Sequence, residues 1–210
     1  MKKATFKGAT LLYPLPSVMV SCGKGDEANI ITVAWTGIIN SEPPMTYISV
    51  RPERFSRPIL EKEMEFVINI PGENLTFEND FCGCTTGAKI NKWEEAKLTK
   101  IPADQVSCPM IEECPINLEC KVTEIKHLPS HDMFMAEIVA VHADENLLNE
   151  NGKLELEKAS LLTLVHGGYH AVSKKSLGKM GYSVMKPSTK KKLRKEGKYV
   201  GGKAPHKKEE

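Results

Sequence analysis

The segment Asn29-Ile-Ile-Thr-Val-Ala-Trp-Thr-Gly37 combines β-branched and aromatic side chains, and hydroxyl groups lie near its end. Residues of this kind favour β-strands, which predicts a strand over residues 30–36. Similar apolar runs precede and follow it: Ser17-Val-Met-Val-Ser-Cys22, Met45-Thr-Tyr-Ile-Ser-Val-Arg51 and Glu65-Phe-Val-Ile-Asn-Ile70. The first third of the chain therefore predicts a succession of strands.

The run that begins at Met45 alternates along its length. Alternation predicts two opposite faces of a strand: Met45, Tyr47, Ser49 and Arg51 against Thr46, Ile48 and Val50. The residues that follow, 54–63, predict a helix. Ser56 is a candidate N-cap, and Pro58 falls in the first turn, where its missing N–H costs little.

The remainder of the chain continues the β pattern. Two or three short helices are expected over residues 74–98, and strands over residues 118–127, 133–142 and 161–165. A regular strand–helix alternation is missing, and the sequence contains no G-x-G-x-x-G turn. The pattern therefore favours a mainly β fold with α decoration, arranged as a β-barrel.

Charge divides the chain into two parts. From residue 186 onward it carries ten Lys/Arg and three Asp/Glu, whereas residues 1–185 carry 19 Lys/Arg and 24 Asp/Glu. We therefore expect one domain over residues 1–185 and a basic tail over residues 186–210 that is mobile, or helical only on contact. An acidic body argues against nucleic-acid binding, because such domains carry basic charge on the folded surface.

Two further classes are disfavoured. The longest apolar stretches are too short to span a bilayer, and no apolar region follows the charged start, so we expect a cytoplasmic protein without membrane contact. The six cysteines are expected to be reduced. Cys82, Cys84, Cys108, Cys114 and Cys120 do not match the spacing of zinc or iron–sulfur ligands, so no metal is expected.

One corner of the sequence suits an anion. Arg51 and Arg57 flank a helix start that Ser56 would cap, and helix N-termini present free N–H groups to negative charge. Arginine adds bidentate contacts to such a group. The spacing alone leaves open the alternative that both arginines are solvated and that Ser56 only caps the helix.

The order of these motifs resembles a known family. Pro-x-Val-x-Val-Ser-Cys, Asn-Ile-Ile-Thr-Val-Ala-Trp-Thr-Gly, Tyr-Ile-Ser-Val-Arg-Pro-x-Arg-Phe-Ser and Phe81-Cys-Gly-Cys-Thr-Thr-Gly-Ala-Lys89 are similar to the flavin reductase-like, FMN-binding split-barrel proteins. The resemblance covers roughly residues 8–183. It implies a six-stranded antiparallel Greek-key barrel and a homodimer, with the flavin near the subunit interface.

The resemblance also implies which residues hold FMN. Those beside the flavin ring are Thr32, Val33, Ala34, Trp35 and Thr36. Those along the ribityl chain are Ser49, Val50 and Arg51. The phosphate would be held by Ser56 and Arg57. A turn at Phe81-Cys-Gly83 would close over the phosphate end, and the residues implied there are Cys82, Gly83 and Lys89.

Three functions remain open at this point. The first is NAD(P)H-dependent flavin reduction, in which NADH or NADPH passes hydride to flavin N5. The second is a flavoredoxin-type electron carrier, reduced by a redox protein partner. The third is a related barrel that has lost flavin and acts in assembly. Cys82 is a candidate redox thiol, and His166 to His170 predicts a loop rather than a metal-binding helix, because two glycines separate the histidines.

Overall fold

The computed structural model describes residues 2–173 and 175–197 and divides the chain into two compact units, Met1–Val172 and Ser173–Glu210. The strands of the first unit are β1 (Leu15–Pro16), β2 (Val18–Cys22), β3 (Asn29–Val33), β4 (Thr36–Ser41), β5 (Pro44–Val50), β6 (Glu65–Ile70), β7 (Lys100–Ile101), β8 (Met110–Ile111), β9 (Ile116–His127), β10 (Asp132–Ala143), β11 (Leu162–Val165) and β12 (Gly168–Ala171). Its α-helices are α1 (Ser56–Glu63), α2 (Thr76–Cys84) and α3 (Lys92–Glu95). Short 3₁₀ turns cover Gly25–Glu27, Glu73–Leu75, Glu145–Leu147 and Leu156–Ala159.

The main sheet has seven antiparallel strands in the order β3-β2-β6-β9-β10-β5-β4. In a flat sheet of this width, the first and last strands would lie about 29 Å apart. However, only Ala34 and Trp35 separate β3 from β4 along the chain, a link that spans about 11 Å at most. The sheet must therefore curl until its two ends meet, as in a barrel.

The interior of the curled sheet is apolar. Ile31 and Val33 of β3 share one core cluster with Ile48 and Val50 of β5, although these strands stand at opposite regions of the strand order. The buried residues on β5 are Thr46, Ile48 and Val50, as the alternating pattern predicts. Phe66, also fully buried, belongs to the same cluster. The shared core agrees with the closure that the short link requires.

The outer face of β2 and β3 is covered as well. Met19 and Ile30 are fully buried against Trp93 of α3 and Cys82 of α2. The Trp93 indole donates a 3.0 Å hydrogen bond to the Ala28 carbonyl, so this aromatic ring anchors the helix to the sheet. The short helices predicted over residues 74–98 are confirmed, and they protect strands that are apolar on both faces.

Two sequence predictions need correction within the main sheet. The strand expected over residues 30–36 ends at Val33, and the chain then forms β4, which the sequence did not indicate. The sheet consequently has seven strands rather than six, while the mainly β class with α decoration is confirmed. The reason is the bend at Trp35, which passes the chain from one end of the sheet to the other.

Two local predictions also differ from the structure. Ser56 does not cap α1, because Phe55 occupies the N-cap position; the Ser56 Oγ instead accepts a 2.8 Å hydrogen bond from Asn29. The segment expected to be a loop from His166 is a tight hairpin between β11 and β12. Its turn uses positive φ at His166 and Gly167, 49° and 84°.

The second unit contains one helix among its described residues. This helix, α4 (Pro187–Lys195), begins with proline at its first position, as helix starts favour. The basic tail was expected to be mobile or helical only on contact, and residues 198–210 of it lie outside the described residues. Across residues 2–173 and 175–197, no helix has both the length and the apolar character needed to cross a membrane.

A buried carboxylate fixes the loop after β7. Glu119 on β9 is fully buried and accepts hydrogen bonds from the backbone N–H groups of Asp104, Gln105 and Val106 at 2.9, 2.6 and 3.0 Å. The His142 ring also contacts this carboxylate. Burial opposes the charge, but these hydrogen bonds outweigh it and lower the pKa of Glu119 below its ordinary value.

We expect Glu119→Gln to destabilise the fold by about 1–3 kcal/mol at pH 7, because the amide NH₂ group would face N–H donors. The lowered pKa gives a stability contribution that is present above the unfolded-state pKa of roughly 4.3 and is lost as the pH falls through the folded-state value. Urea unfolding at pH 7, and then in steps down to about pH 2, measures both effects. Glu124→Gln, on the exposed part of the same strand, is the control. Equal stability of the two variants at pH 7 would contradict this role for Glu119.

Candidate functional site

A cleft of about 320 Å³, here called the central cleft, opens where β3 bends towards β4. One wall is the end of β3 and the link that follows it: Thr32, Val33, Ala34 and Trp35. The facing wall is the end of β5: Ser49, Val50 and Arg51. The Ser49 N–H donates to the Trp35 carbonyl at 2.9 Å, which holds the two walls in register.

His131 and Trp35 stand together at the edge of the central cleft. Their ring centroids are 4.3 Å apart in an edge-on arrangement, a favourable geometry for aromatic rings. His131 is 7% exposed, and burial together with the charge of Arg51 lowers the pKa of its imidazole. The ring is therefore neutral at pH 7 and offers one N–H donor.

A second cleft of about 270 Å³, here called the anion cleft, continues from the first. Both clefts are lined by Ile31 and Arg54, so they form one elongated depression. The anion cleft also contains the start of α1 with Ser56, where free helix N–H groups favour negative charge. Arg54 additionally donates a 3.2 Å hydrogen bond to the Gly83 carbonyl, which ties this cation to the end of α2.

The turn Thr85-Thr-Gly87 forms another wall of the anion cleft. A Cβ atom placed on Gly87 would collide with Asn29 Oδ1 and would lie 2.7 Å from the Phe55 ring. Only glycine therefore allows the backbone to approach this closely, a feature of loops that wrap anionic groups. The two threonine hydroxyls beside it add polar atoms to the same wall.

Lys92 lies beneath the anion cleft and is 3% exposed. Its ammonium donates to the carbonyl oxygens of Ile30 and Cys82 at 2.8 and 2.7 Å. No carboxylate forms an ion pair with it within the part of the chain that the structure describes. Burial lowers the pKa of this amine, and an anion in the cleft would favour its charged form. Since an ammonium has three donors, one remains for such an anion.

The structure brings most of the predicted residues to these two clefts. Seven of them line the central cleft: Thr32, Val33, Ala34, Trp35, Ser49, Val50 and Arg51. Ser56 lines the anion cleft. Thr36 lines neither, because its side chain is buried and donates to the Tyr47 carbonyl.

Four other predicted residues lie elsewhere. Arg57 points its guanidinium to Asp132, at 2.7 Å, and to Glu61, so it lines neither cleft. The turn expected at residues 81–83 is helical, because α2 continues to Cys84. Gly83 there packs against Thr32 behind the cleft wall, and Cys82 is fully buried. Lys89 is exposed and lines a neighbouring depression.

Burial makes the Cys82 thiol a weak acid. Removal of the sulfur from water raises the pKa of Cys82 to about 11, although Lys92 opposes this effect. At pH 7 the group is the protonated thiol, which is a poor nucleophile. The geometry therefore gives no support to a redox role for Cys82.

Sequence reasoning missed several residues that line the clefts: Asn29, Arg54, Thr85, Thr86, Gly87, Lys92 and His131. Two signals were present. The Thr-Thr-Gly sequence is typical of a tight turn with hydroxyl donors, and Lys92 directly precedes a tryptophan, a residue type that is usually largely buried. His131 lacked a signal, because it reaches Trp35 only through the tertiary fold.

The chain has known relatives in sequence and in structure. Residues 10–173 match the flavin reductase like domain family, and the chain belongs to that family. A flavoredoxin of Desulfovibrio vulgaris (Miyazaki F) is similar, with a TM-score of 0.79 and 28% identity over 85% of this chain and 97% of that chain. A flavoredoxin from Methanosarcina acetivorans has a TM-score of 0.79 and 26% identity over 88% and 100% of the two chains.

The fold class also has a structural counterpart. A protein with a split barrel domain from Shewanella frigidimarina NCIMB 400 has a TM-score of 0.69 and 17% identity, over 77% of this chain and 84% of that one. The predicted split β-barrel is therefore confirmed.

The two lysines near the anion cleft make a direct test. Lys92→Met should weaken binding of inorganic phosphate by about 10- to 100-fold, the loss of a charged hydrogen bond of roughly 1.5–3 kcal/mol. Lys89→Met, at the exposed lysine, should leave the affinity unchanged. Phosphorus NMR titration of the flavin-free protein measures both, and circular dichroism checks that each variant folds. If Lys89→Met weakens phosphate binding and Lys92→Met does not, the phosphate contact belongs to Lys89 instead.

Proposed function

We propose that this chain is an FMN-binding flavoprotein that catalyses NAD(P)H-dependent flavin reduction. The observation that carries the proposal is the union of two unlike clefts: an aromatic and hydroxyl-lined cleft that continues into a cationic one. FMN has the matching construction, a planar ring joined through a ribityl chain to a phosphate. Membership of the flavin reductase like domain family supports the same ligand.

The central cleft suits the ring and the ribityl chain. Trp35 and His131 supply aromatic surface, and the backbone of residues 32–35 supplies polar groups at the ring edge. Ser49 and Arg51 supply donors along the facing wall, where a chain of hydroxyl groups would lie. The family resemblance assigns the ring and the ribityl chain to these same two walls.

The anion cleft suits the phosphate. Gly87 lets the turn of residues 85–87 pack closely against Asn29 and Phe55 as a wall of this cleft, and Ser56 and Arg54 offer donors from the other lining residues. Lys92 adds a buried positive charge, which interacts strongly with an anion because little water screens it. Arg57 is engaged by carboxylates, so we assign the phosphate contacts to these neighbours in its place.

Bound FMN supplies two-electron hydride chemistry, and the protein positions the reactants. The open side of the central cleft lies next to Trp35, which is 37% exposed. A nicotinamide ring from NADH or NADPH can stack there without a proton donor, since hydride transfer needs no general acid. The neutral His131 imidazole adds an uncharged N–H donor at the same opening.

A specific observation favours an electron carrier as the second candidate. The two flavoredoxins described above are similar to this chain at 28% and 26% identity over most of its length. In this function, a redox protein partner replaces the nicotinamide as the source of electrons. The binding residues are the same in both proposals, so the electron donor alone separates them.

We also propose a homodimer in a reducing compartment such as the cytoplasm. Strand β4 stands at one end of the sheet order and exposes Ile38 by 70% and Ile39 by 42%. A second copy would remove this apolar surface from water. All six cysteines are unpaired, and five are buried, in accordance with reduced thiols.

Anaerobic stopped-flow mixing with NADH and NADPH tests the proposal. Protein loaded with FMN should lose its flavin absorbance in a single nicotinamide-dependent phase, because hydride reaches the ring. Flavin that stays oxidised at millimolar nicotinamide excludes the reductase and favours the carrier. Protein that fails to bind added FMN excludes both flavin functions, in favour of a barrel that acts without flavin.

A further inference from the structure

A third cavity of about 420 Å³, here called the outer cleft, lies beside the central cleft. The two share four lining residues: Leu15, Trp35, Ser49 and His131. On the far side of the outer cleft, the N-terminal segment 9–12 forms a wall. The cavity volume falls in the usual range for small-molecule sites. The outer cleft shares no lining residue with the anion cleft.

The outer cleft differs from the other two in its charge. Its lining contains no lysine, arginine, aspartate or glutamate within the described part of the chain. Leu11, Leu12 and Leu128 give it an apolar surface, and Leu12 is 84% exposed. An uncharged, largely apolar ligand would cover this surface.

His131 gives the outer cleft its directional polar group. The imidazole Nδ1 lies 2.9 Å from the Ser130 hydroxyl, whereas Nε2 has no hydrogen-bond partner among the described residues. If Ser130 donates to Nδ1, the neutral ring carries its proton on Nε2. Nε2–H then donates to an acceptor atom in the cleft. Trp35, packed edge-on against the same ring, fixes its orientation.

We propose that the outer cleft binds a neutral aromatic carbonyl compound, with the carbonyl oxygen accepting a hydrogen bond from His131 Nε2–H. The aromatic ring packs on the leucines and on Trp35, which lines both clefts. This names a ligand class for the proposed flavin site, and its place beside a flavin rests on the proposed function. The binding itself does not, because every residue involved lies outside the anion cleft.

A matched pair of probes tests the proposal. Acetophenone carries the carbonyl, and ethylbenzene has almost the same shape without it. Both are titrated by calorimetry into flavin-free protein and into protein loaded with FMN. We expect both to bind, and acetophenone to bind about 3- to 10-fold more tightly, the usual effect of one neutral hydrogen bond.

Two histidine variants locate the contact. His131→Phe keeps an aromatic ring against Trp35 and removes the N–H donor, so it should abolish the preference for acetophenone and leave ethylbenzene binding unchanged. His170→Phe changes an exposed histidine on β12 and is the control, expected to retain the preference. Thermal unfolding checks that both variants fold.

Three results would overturn the proposal. The first is equal affinity for the two probes in the unmodified protein, and the second is a preference that survives His131→Phe. The third is that neither probe binds. If light scattering then shows a dimer, the cleft is assigned to a second copy of the chain. Failure of FMN to bind while the acetophenone preference remains would count against the flavin function alone.

Discussion

The link of two residues between β3 and β4 constrains the rest of the structure. Strands at opposite ends of a seven-stranded order are joined by Ala34 and Trp35, which forces the sheet to curl. Curling brings the apolar faces of β3 and β5 into one core. The link, together with the end of β3, forms one wall of the central cleft.

The anion cleft depends on the packing of two helices against the outside of the barrel. Helices α2 and α3 cover the outside of β3, and this packing buries Lys92 between the Ile30 and Cys82 carbonyls. The cost of burying an amine is reduced by those two hydrogen bonds and by any anion that enters the cleft. Gly87 allows the adjoining turn to come close enough to complete the site. The contacts that pack α2 and α3 against β3 therefore also shape the proposed phosphate site.

Much of this arrangement could be predicted from the sequence, because local patterns indicate strands and family motifs indicate a ligand. The alternation around Ile48 identified the buried face of β5, and the motif around Trp35 identified the central cleft. Contacts that depend on tertiary packing could not be predicted. Arg57 has the correct spacing for an anion but is drawn to Asp132, 75 residues away. The sequence alone does not distinguish Lys89 from Lys92. Only the packing of α3 shows that Lys92 is the buried one.

The central claim is that the two joined clefts hold one molecule of FMN, with the phosphate at Ser56. The most direct measurement is calorimetric titration of flavin-free protein with FMN and with riboflavin, which lacks the phosphate. We predict that FMN binds more tightly, and that Ser56→Ala weakens FMN binding by about 10-fold without changing riboflavin binding, whereas Arg57→Ala changes neither. Equal affinity for the two flavins in the unmodified protein would contradict the account.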